Sequence, residues 1–382
     1  MKIIGVICEY NPFHLGHKKQ FDRIRKDFGD DCAIVCLMSG NFVQRGQPAI
    51  FHKSLRAEAA VRSGADLVLE LPVNYALSSA EGFAAGGVKI LSQFCDYLCF
   101  GAETGTADSL MTTAQALLHP NFSDALRNAL ESGVSFAAAR QAALEAMGLD
   151  ASLLANPNDI LGIEYCKAML AQGCAMQPFV IHRQGSYHAD KPDDENPSAT
   201  SLRHLIAVNQ PWSHYMPPKA AQVLSGAPIH TLAAGERSIL AKLRTMPDTA
   251  FEALPYGSEG LWRKLMHNSR SCATLEEILT ATKSKRYARS RLDRMVMCAF
   301  LGLTEADMSV CPPHVRVLGF SEAGRSVLNL ARQTGSYPHI GEKTGLPYEL
   351  FEQQVEDLYG LFQVDFPAAP NRKLRIYIKK SS

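Results

Sequence analysis

No stretch of this sequence reaches the roughly 20 apolar residues that a membrane-spanning helix needs. Net charge is almost absent too: 39 Lys and Arg face 38 Asp and Glu, a formal +1 at pH 7. That balance excludes a molecule-wide field drawing the chain onto nucleic acid or lipid, so any such surface must be a local patch. A secretory leader is lacking: Met1-Lys2-Ile3-Ile4-Gly5-Val6-Ile7-Cys8 holds one charge and runs straight into a polar motif. Internal repeats and low-complexity segments are missing. Metal-site spacing is missing among the ten cysteines. Cys32/Cys36 and Cys95/Cys99 are four apart, in or beside apolar runs, with no His or Cys pair to complete a zinc set. Scattered thiols such as Cys8, Cys36 and Cys99 point to buried, reduced cysteines in a cytoplasmic protein rather than a disulfide framework.

What is present is an ordinary globular balance, 46% apolar and 20% charged over 382 residues, enough for two or three cores. Short apolar runs alternate with helical patterns: strands at Lys2–Cys8, Cys32–Leu37, Asp66–Leu69, Tyr97–Phe100 and Phe179–Ile181, with helices at His17–Phe28, Lys53–Ser63 and Ala80–Leu91. Strands separated by helices imply an α/β fold with a parallel, doubly wound sheet of the Rossmann-like kind. Residues 106–148 read as Ala-rich helix. Asn158-Asp159 offers a cap to a helix reaching about Ala171. A polar loop, Gly185–Pro197, precedes a helix over Ser198–Val208. Composition shifts after Gln210-Pro211, which divides the chain into a catalytic part, 1–215, and a mainly helical C-terminal domain, 216–382. That second part ends in a small α+β tail with strands at Val315–Gly319 and Leu374–Ile378.

The motif with most chemical content is Glu9-Tyr10-Asn11-Pro12-Phe13-His14-Leu15-Gly16-His17. It lies between the first strand and the first helix, where open parallel sheets bind ligands. A helix start offers unpaired N–H groups and a positive dipole end, suited to phosphate. Gly16 would let a nucleotide lie against the backbone. His14 and His17, three apart, share a face and could donate to phosphoryl oxygens as charge builds. The plain alternative is a metal pair or two surface histidines, but zinc pairs on helices favour i, i+4 spacing.

A second helix start, Ser198-Ala199-Thr200-Ser201-Leu202-Arg203, supplies hydroxyls and a guanidinium fork. Alone it reads as an ordinary N-cap with a surface Arg; beside His14 and His17 it reads as a pyrophosphate clamp. The Gly- and amide-rich segment 38–49 follows the second strand and suits a loop over a small polar substrate. Lys53 and Arg56 could reach phosphates or pair with Glu58 and Glu70. Gly101 would let adenine pack on the strand end. Asn158 could be a cap only, and Arg183 a surface charge only. Residues 283–294 hold six cations, one acid and Tyr287. Such a run is ordinarily a solvated helix face, and its other reading is an RNA contact.

Taken together, these motifs resemble the bacterial tRNA(Met) cytidine acetate ligase family of the HIGH-type nucleotidyltransferases. The resemblance rests on residues 9–17, Ser39-Gly40-Asn41-Phe42-Val43-Gln44-Arg45-Gly46, Phe100-Gly101-Ala102-Glu103, Asn158-Asp159-Ile160-Leu161-Gly162, Ser198–Arg203 and Arg316-Val317-Leu318-Gly319-Phe320. It implies that ATP and acetate form acetyl-adenylate, and that the acetyl group passes to N4 of the wobble cytidine of elongator tRNA(Met). ATP contacts would then fall on Ile7, Cys8, Glu9, Tyr10, Asn11, Pro12, Phe13, His14, Leu15, Gly16, His17, Lys18, Lys19 and Gln20, with Gly101, Asn158 and Arg183. Ser198, Thr200 and Ser201 would hold the β- and γ-phosphates with Arg203, the triphosphate being screened by Mg2+. Asn11 and Gln44 are candidates for acetate. Lys283, Lys285, Arg286, Arg289 and Arg291 are candidates for tRNA. No protein-held metal and no membrane partner is expected.

The residues by themselves stop at adenylyl transfer on a sheet edge. A small-molecule nucleotidyltransferase, a non-catalytic RNA-binding protein that kept a nucleotide site, and an aminoacyl-tRNA synthetase remain open on that reading. No editing domain and no lysine-rich second signature supports the last.

Overall fold

The computed structural model describes residues 1–182, 197–284, 287–333, 339–340, 346–365 and 376–379. Seven strands form the main sheet, in the order 377–378, 317–320, 67–71, 32–39, 2–8, 97–102, 177–182. Neighbours are parallel except at one seam, where Leu67–Leu71 runs antiparallel to Val317–Phe320. Lys2–Cys8 pairs in register with Cys32–Met38 and, on its other side, with Tyr97 and Leu98.

Period-two alternation explains why these strands are almost wholly apolar. Ile3, Val35, Leu37 and Leu69 face one helical layer, which includes Ala80–Leu91 and Pro157–Gln172. Ile4, Val6, Cys36, Met38 and Val68 face the other, which includes Leu15–Phe28, Lys53–Ser63 and Ala199–Ala207. Cys32, Cys36, Cys95 and Cys99 are buried thiols within these layers. A third core joins helices between residues 232 and 301 to the helix Leu346–Gly360, and it takes in Phe42 and Leu77.

The chain leaves the first strand, builds 32–39 and 67–71 on one side, then crosses to 97–102 and 177–182 on the other. This reversal puts a crevice at the carboxyl end of Lys2–Cys8, the place where doubly wound sheets take ligands.

Several expectations shift. The first helix begins at Leu15, two residues early, because His14 caps it. The helix at 157 is capped at Asn156, with Pro157 in its first turn, so Asn158 lies inside it. Residues 106–148 form three helices, Ala107–Leu118, Pro120–Glu131 and Phe136–Ala146. Segment 38–49 is not plain loop: Phe42–Val43 pairs with Gln47–Pro48 around Gly46, whose φ is +71°. Most consequentially, the tail is no separate unit. Val317–Phe320 and Tyr377–Ile378 complete the far edge of the main sheet, across the expected boundary at 215/216. Arg183, Lys285, Arg286, most of the 185–197 loop and Leu374–Arg375 of the expected last strand lie outside the described residues.

Candidate active site

At the crevice the two histidines form a reciprocal cap. The Gly16 N–H donates to His14 Nδ1 at 3.1 Å, and the His14 N–H donates to His17 Nδ1 at 3.2 Å. Two of the four orphan N–H groups of the helix start are thus satisfied by imidazole rather than by Ser or Glu. Because Nδ1 accepts in each ring, the neutral form of each carries its proton on Nε2. The rings stack at 3.8 Å. Gly16 has a local reason: a Cβ there would sit 2.9 Å from His14 Cε1. The glycine makes room for its own neighbour's ring, whatever else lies against it.

Under this pair, Tyr10 and Phe13 are core residues, with ring centroids 4.8 and 5.5 Å from His17. Burial pushes the Tyr10 phenol up, so it stays protonated. Only the backbone of these two can face a nucleotide. Asn11 is buried; its Oδ1 accepts from the Ile50 N–H at 2.8 Å, which fixes it as a brace for segment 41–50. Lys18 pairs with Asp22, and Gln20 Nε2 donates to Cys99 Sγ at 3.5 Å.

Arg203 brings the second helix start to the first. Its Nη1 donates to the Asn11 carbonyl at 2.8 Å and its Nη2 to Thr200 Oγ1 at 3.0 Å. Ser198 caps Ala199–Ala207: its Oγ accepts from the Ser201 N–H at 3.1 Å, while Ser201 Oγ donates back to the Ser198 carbonyl at 2.9 Å. Those two hydroxyls are engaged in the cap, and Ser201 is buried. Thr200 is exposed.

Lys53 and Arg56 turn inward. Arg56 is fully buried and donates to four backbone carbonyls: Phe51 at 2.9 Å, Ser39 at 3.2 Å, Glu9 and Gly40. Burial pulls its pKa down from the ordinary guanidinium value. It ties the carboxyl end of the first strand to that of the second. Glu9 adds a second tie, accepting the Gln44 N–H at 2.8 Å. Burial alone would lower the Lys53 ammonium, but Glu70 at 2.8 Å and Glu356 at 3.0 Å outweigh it, and the pKa rises. Glu356, on Leu346–Gly360, also receives Asn41 Nδ2 at 3.0 Å and bonds His52. Glu58 pairs with Arg62 instead.

On the other side of the crevice, Glu103 and Asp159 exchange caps. Glu103 accepts the Asn158 and Asp159 N–H groups and Asn158 Nδ2; Asp159 accepts the N–H groups of Glu103, Thr104 and Gly105. Burial favours protonated Asp159, but bonds from Asn156, Thr104 and the backbone prevail and hold it ionised. This exchange fixes the turn just after Gly101.

Within the described part of the basic stretch, two arginines are tied down internally. Arg289 pairs with Glu276 at 2.6 Å and Asp293 at 2.9 Å. Arg291 donates to the Tyr256 carbonyl at 3.0 Å and Ser258 Oγ at 2.8 Å. Its helix, Arg289–Leu301, abuts the 42–48 hairpin so closely that a Cβ on Gly46 would lie 2.4 Å from the Asp293 carbonyl carbon.

The sequence reading missed Asn41, Glu103, Asp159 and Glu356 as organisers; of the two roles it left open for Lys53 and Arg56, Lys53 takes the pairing with Glu70, while Arg56 takes neither and binds backbone carbonyls. Only Glu103 and Asp159 left a trace, as strand-end and helix-start acids. The donor set at the crevice, two Nε2–H imidazoles, a guanidinium and two helix starts, suits an anion that gains charge during reaction.

The chain is similar to known proteins along nearly its whole length. A family described as HIGH Nucleotidyl Transferase matches residues 1–363. The tRNA(Met) cytidine acetate ligase of Acetivibrio thermocellus is 33% identical over 369 residues, covering 89% of this chain and 88% of the relative. The protein of that name from Alkaliphilus metalliredigens is 36% identical over 373 residues, covering 89% and 87%. The crystal structure of Thermotoga maritima TmcAL bound with alpha-thio ATP superposes with a TM-score of 0.85 at 28% identity, over 99% of this chain and 100% of that one.

Proposed function

This chain belongs to the HIGH nucleotidyl transferase family and within it to the tRNA(Met) cytidine acetate ligases, and on that footing we propose that it activates acetate with ATP and acetylates the wobble cytidine of elongator tRNA(Met). The observation that carries the reading is the paired histidine cap at the switch point, joined by Arg203 to a second helix start.

An acetate oxygen attacks the α-phosphorus in line. The bond to the β-phosphate oxygen breaks, and pyrophosphate leaves between the two helix starts. His14 and His17 meet the phosphoryl oxygens through Nε2–H. Arg203 and Thr200, with N–H groups of the second helix start, meet the β- and γ-phosphates; Ser198 and Ser201 serve by shaping that helix start. The backbone of residues 7–20, with Gly101, Asn158 and Arg183, lines the nucleotide. Asn11 and Gln44 stand nearest to an acetate pocket, Asn11 as brace and Gln44 on the segment that Glu9 holds. The N4 amine of the cytidine then attacks the acetyl carbonyl, AMP departs and N4 loses a proton. Positioning and fixed dipoles supply the catalysis, with no covalent enzyme intermediate.

Mg2+ enters as part of the substrate, on the triphosphate. Among the described residues, no group of three His, Cys, Asp or Glu could hold a metal ion. Residues 1–215, together with the sheet edge supplied after residue 310, carry the adenylation chemistry, and the helical segment between them carries the tRNA contacts. Lys283, Lys285, Arg286, Arg289 and Arg291 contribute to these, with Arg289 and Arg291 drawn on least because of their internal partners.

The test is ATP–pyrophosphate exchange with and without acetate, followed by N4-acetylcytidine analysis of elongator tRNA(Met). Acetate-dependent exchange and a modified wobble base are expected. Exchange driven only by a phosphorylated small molecule would replace this reading with that of a small-molecule nucleotidyltransferase.

A further inference from the structure

The helix Leu261–Ser271 has a one-signed outer face. Leu261, Leu265, Asn268 and Ser269 are buried, while Arg263, Lys264, His267 and Arg270 are exposed. No acid occurs from 260 to 275, in a chain whose 39 basic and 38 acidic residues nearly balance. Arg270 is committed to Asp248 at 2.6 Å. Arg263 lies 4.9 Å from the Trp262 ring centroid, and that ring is half-buried. Lys264 Nζ donates to the Lys283 carbonyl at 3.4 Å, which brings a further exposed cation to the same end. Exposed Arg244 marks the other end, donating to the Cys272 and Ala273 carbonyls at 3.1 Å each. Among the described residues, no carboxylate pairs with Arg263, Lys264 or Lys283, in contrast to Arg289.

Unneutralised cations in a row beside an accessible indole fit a polyanion that also offers bases to stack on. We infer that this face, centred on Arg263 and Lys264 with Trp262 as a stacking platform, is the main phosphate-backbone contact for the tRNA acceptor. The inference rests on the tRNA acceptor of the proposed function and moves its anchor from the 289–294 run to this helix. Each cation that neutralises a phosphate releases counterions condensed on the RNA, so salt dependence is the diagnostic.

The experiment titrates elongator tRNA(Met) against the full chain between about 50 and 200 mM salt. R263E/K264E is expected to bind roughly 10-fold or more weakly at the low end, with the slope of log affinity against log salt reduced by about 1 to 2. R263K/K264R should stay within about 3-fold with an unchanged slope, since backbone phosphates read charge and not side-chain identity. W262A should weaken binding with the slope preserved, as loss of a stacked base would. Melting temperatures of the variants check that the fold survives. Unchanged affinity and slope in R263E/K264E, with the wild-type protein binding tRNA, would overturn this surface alone. A wild-type protein that does not bind tRNA would overturn the acceptor assignment and this surface together.

Discussion

At the residue scale, the roles of His17 and Gly16 separate cleanly. If His17 Nε2–H meets a phosphoryl oxygen that gains charge, His17→Ala removes one oxyanion donor. Acetate-dependent exchange should fall by about 10²–10³. Activity within a few-fold of wild type would exclude that role. Gly16→Ala probes the ring's placement instead. Position 16 lies within the first helical turn, where Ala is favoured over Gly by roughly 1 kcal/mol. The new Cβ would sit 2.9 Å from His14 Cε1 and 3.1 Å from Nδ1, so the ring must shift. A catalytic group displaced by about 1 Å loses up to ~10²-fold. The expected signature is a chain at least as heat-stable as wild type with exchange reduced roughly 10- to 100-fold. A Gly16→Ala enzyme with full activity would show that the glycine is not there for His14.

At the element scale, the site is held by ties between segments far apart in sequence. Glu356 shows this best, since one carboxylate from Leu346–Gly360 holds Asn41, His52 and Lys53. Burial alone would raise its pKa; Lys53 and His52 more than reverse that and hold it well below the ordinary 4.5. The unfolded chain therefore takes up this proton first as pH falls. The stabilisation is complete above about pH 4.5 and is lost on further acidification. Glu356→Gln should cost up to about 3 kcal/mol at pH 7, because Lys53 keeps only Glu70. In urea titrations the gap from wild type should hold constant from about pH 7 to 5 and close below about pH 4.5. A gap independent of pH down to about 3 would mean that the carboxylate's charge is not what holds the segment.

The same ties mark what could be read from sequence. Lys2–Cys8 and Lys53–Ser63 match their local patterns to the residue, since strand and helix periodicity are written into adjacent side chains. The histidine pair was legible for the same reason. Arg56 was not: a lone helical cation looks the same whether it meets phosphate or four buried carbonyls. Arg289 read as an RNA contact because Glu276 lies 13 residues away, outside any helical neighbourhood. Glu356, 315 residues from Asn41, left no local trace.

At the scale of the whole molecule, a boundary at 215/216 meets a sheet that ignores it. The outer edge of Leu67–Leu71 is covered by Val317–Phe320, with Glu70 N–H donating to the Arg316 carbonyl and Ser321 N–H to the Asp66 carbonyl, at 2.9 and 2.8 Å. Gly324 packs so tightly on that turn that a Cβ would lie 1.8 Å from the Asp66 carbonyl oxygen. Phe42 and Leu77, before the boundary, are buried among Leu292, Val296 and Tyr359, after it. A fragment ending at residue 215 would expose one edge of a central strand, uncover Phe42 and leave Lys53 buried without Glu356. Each loss costs on the order of 1–3 kcal/mol, and together they approach the whole stability of an ordinary domain. The 1–215 fragment is expected to lack a cooperative urea transition and acetate-dependent exchange, while the full chain shows both. Cooperative unfolding with near-native ATP affinity in the fragment would show instead that the catalytic half is self-sufficient and the tail only an embellishment. On the structural argument, the chain after residue 310 belongs to the catalytic body, and the helical segment is inserted between the two parts of that body.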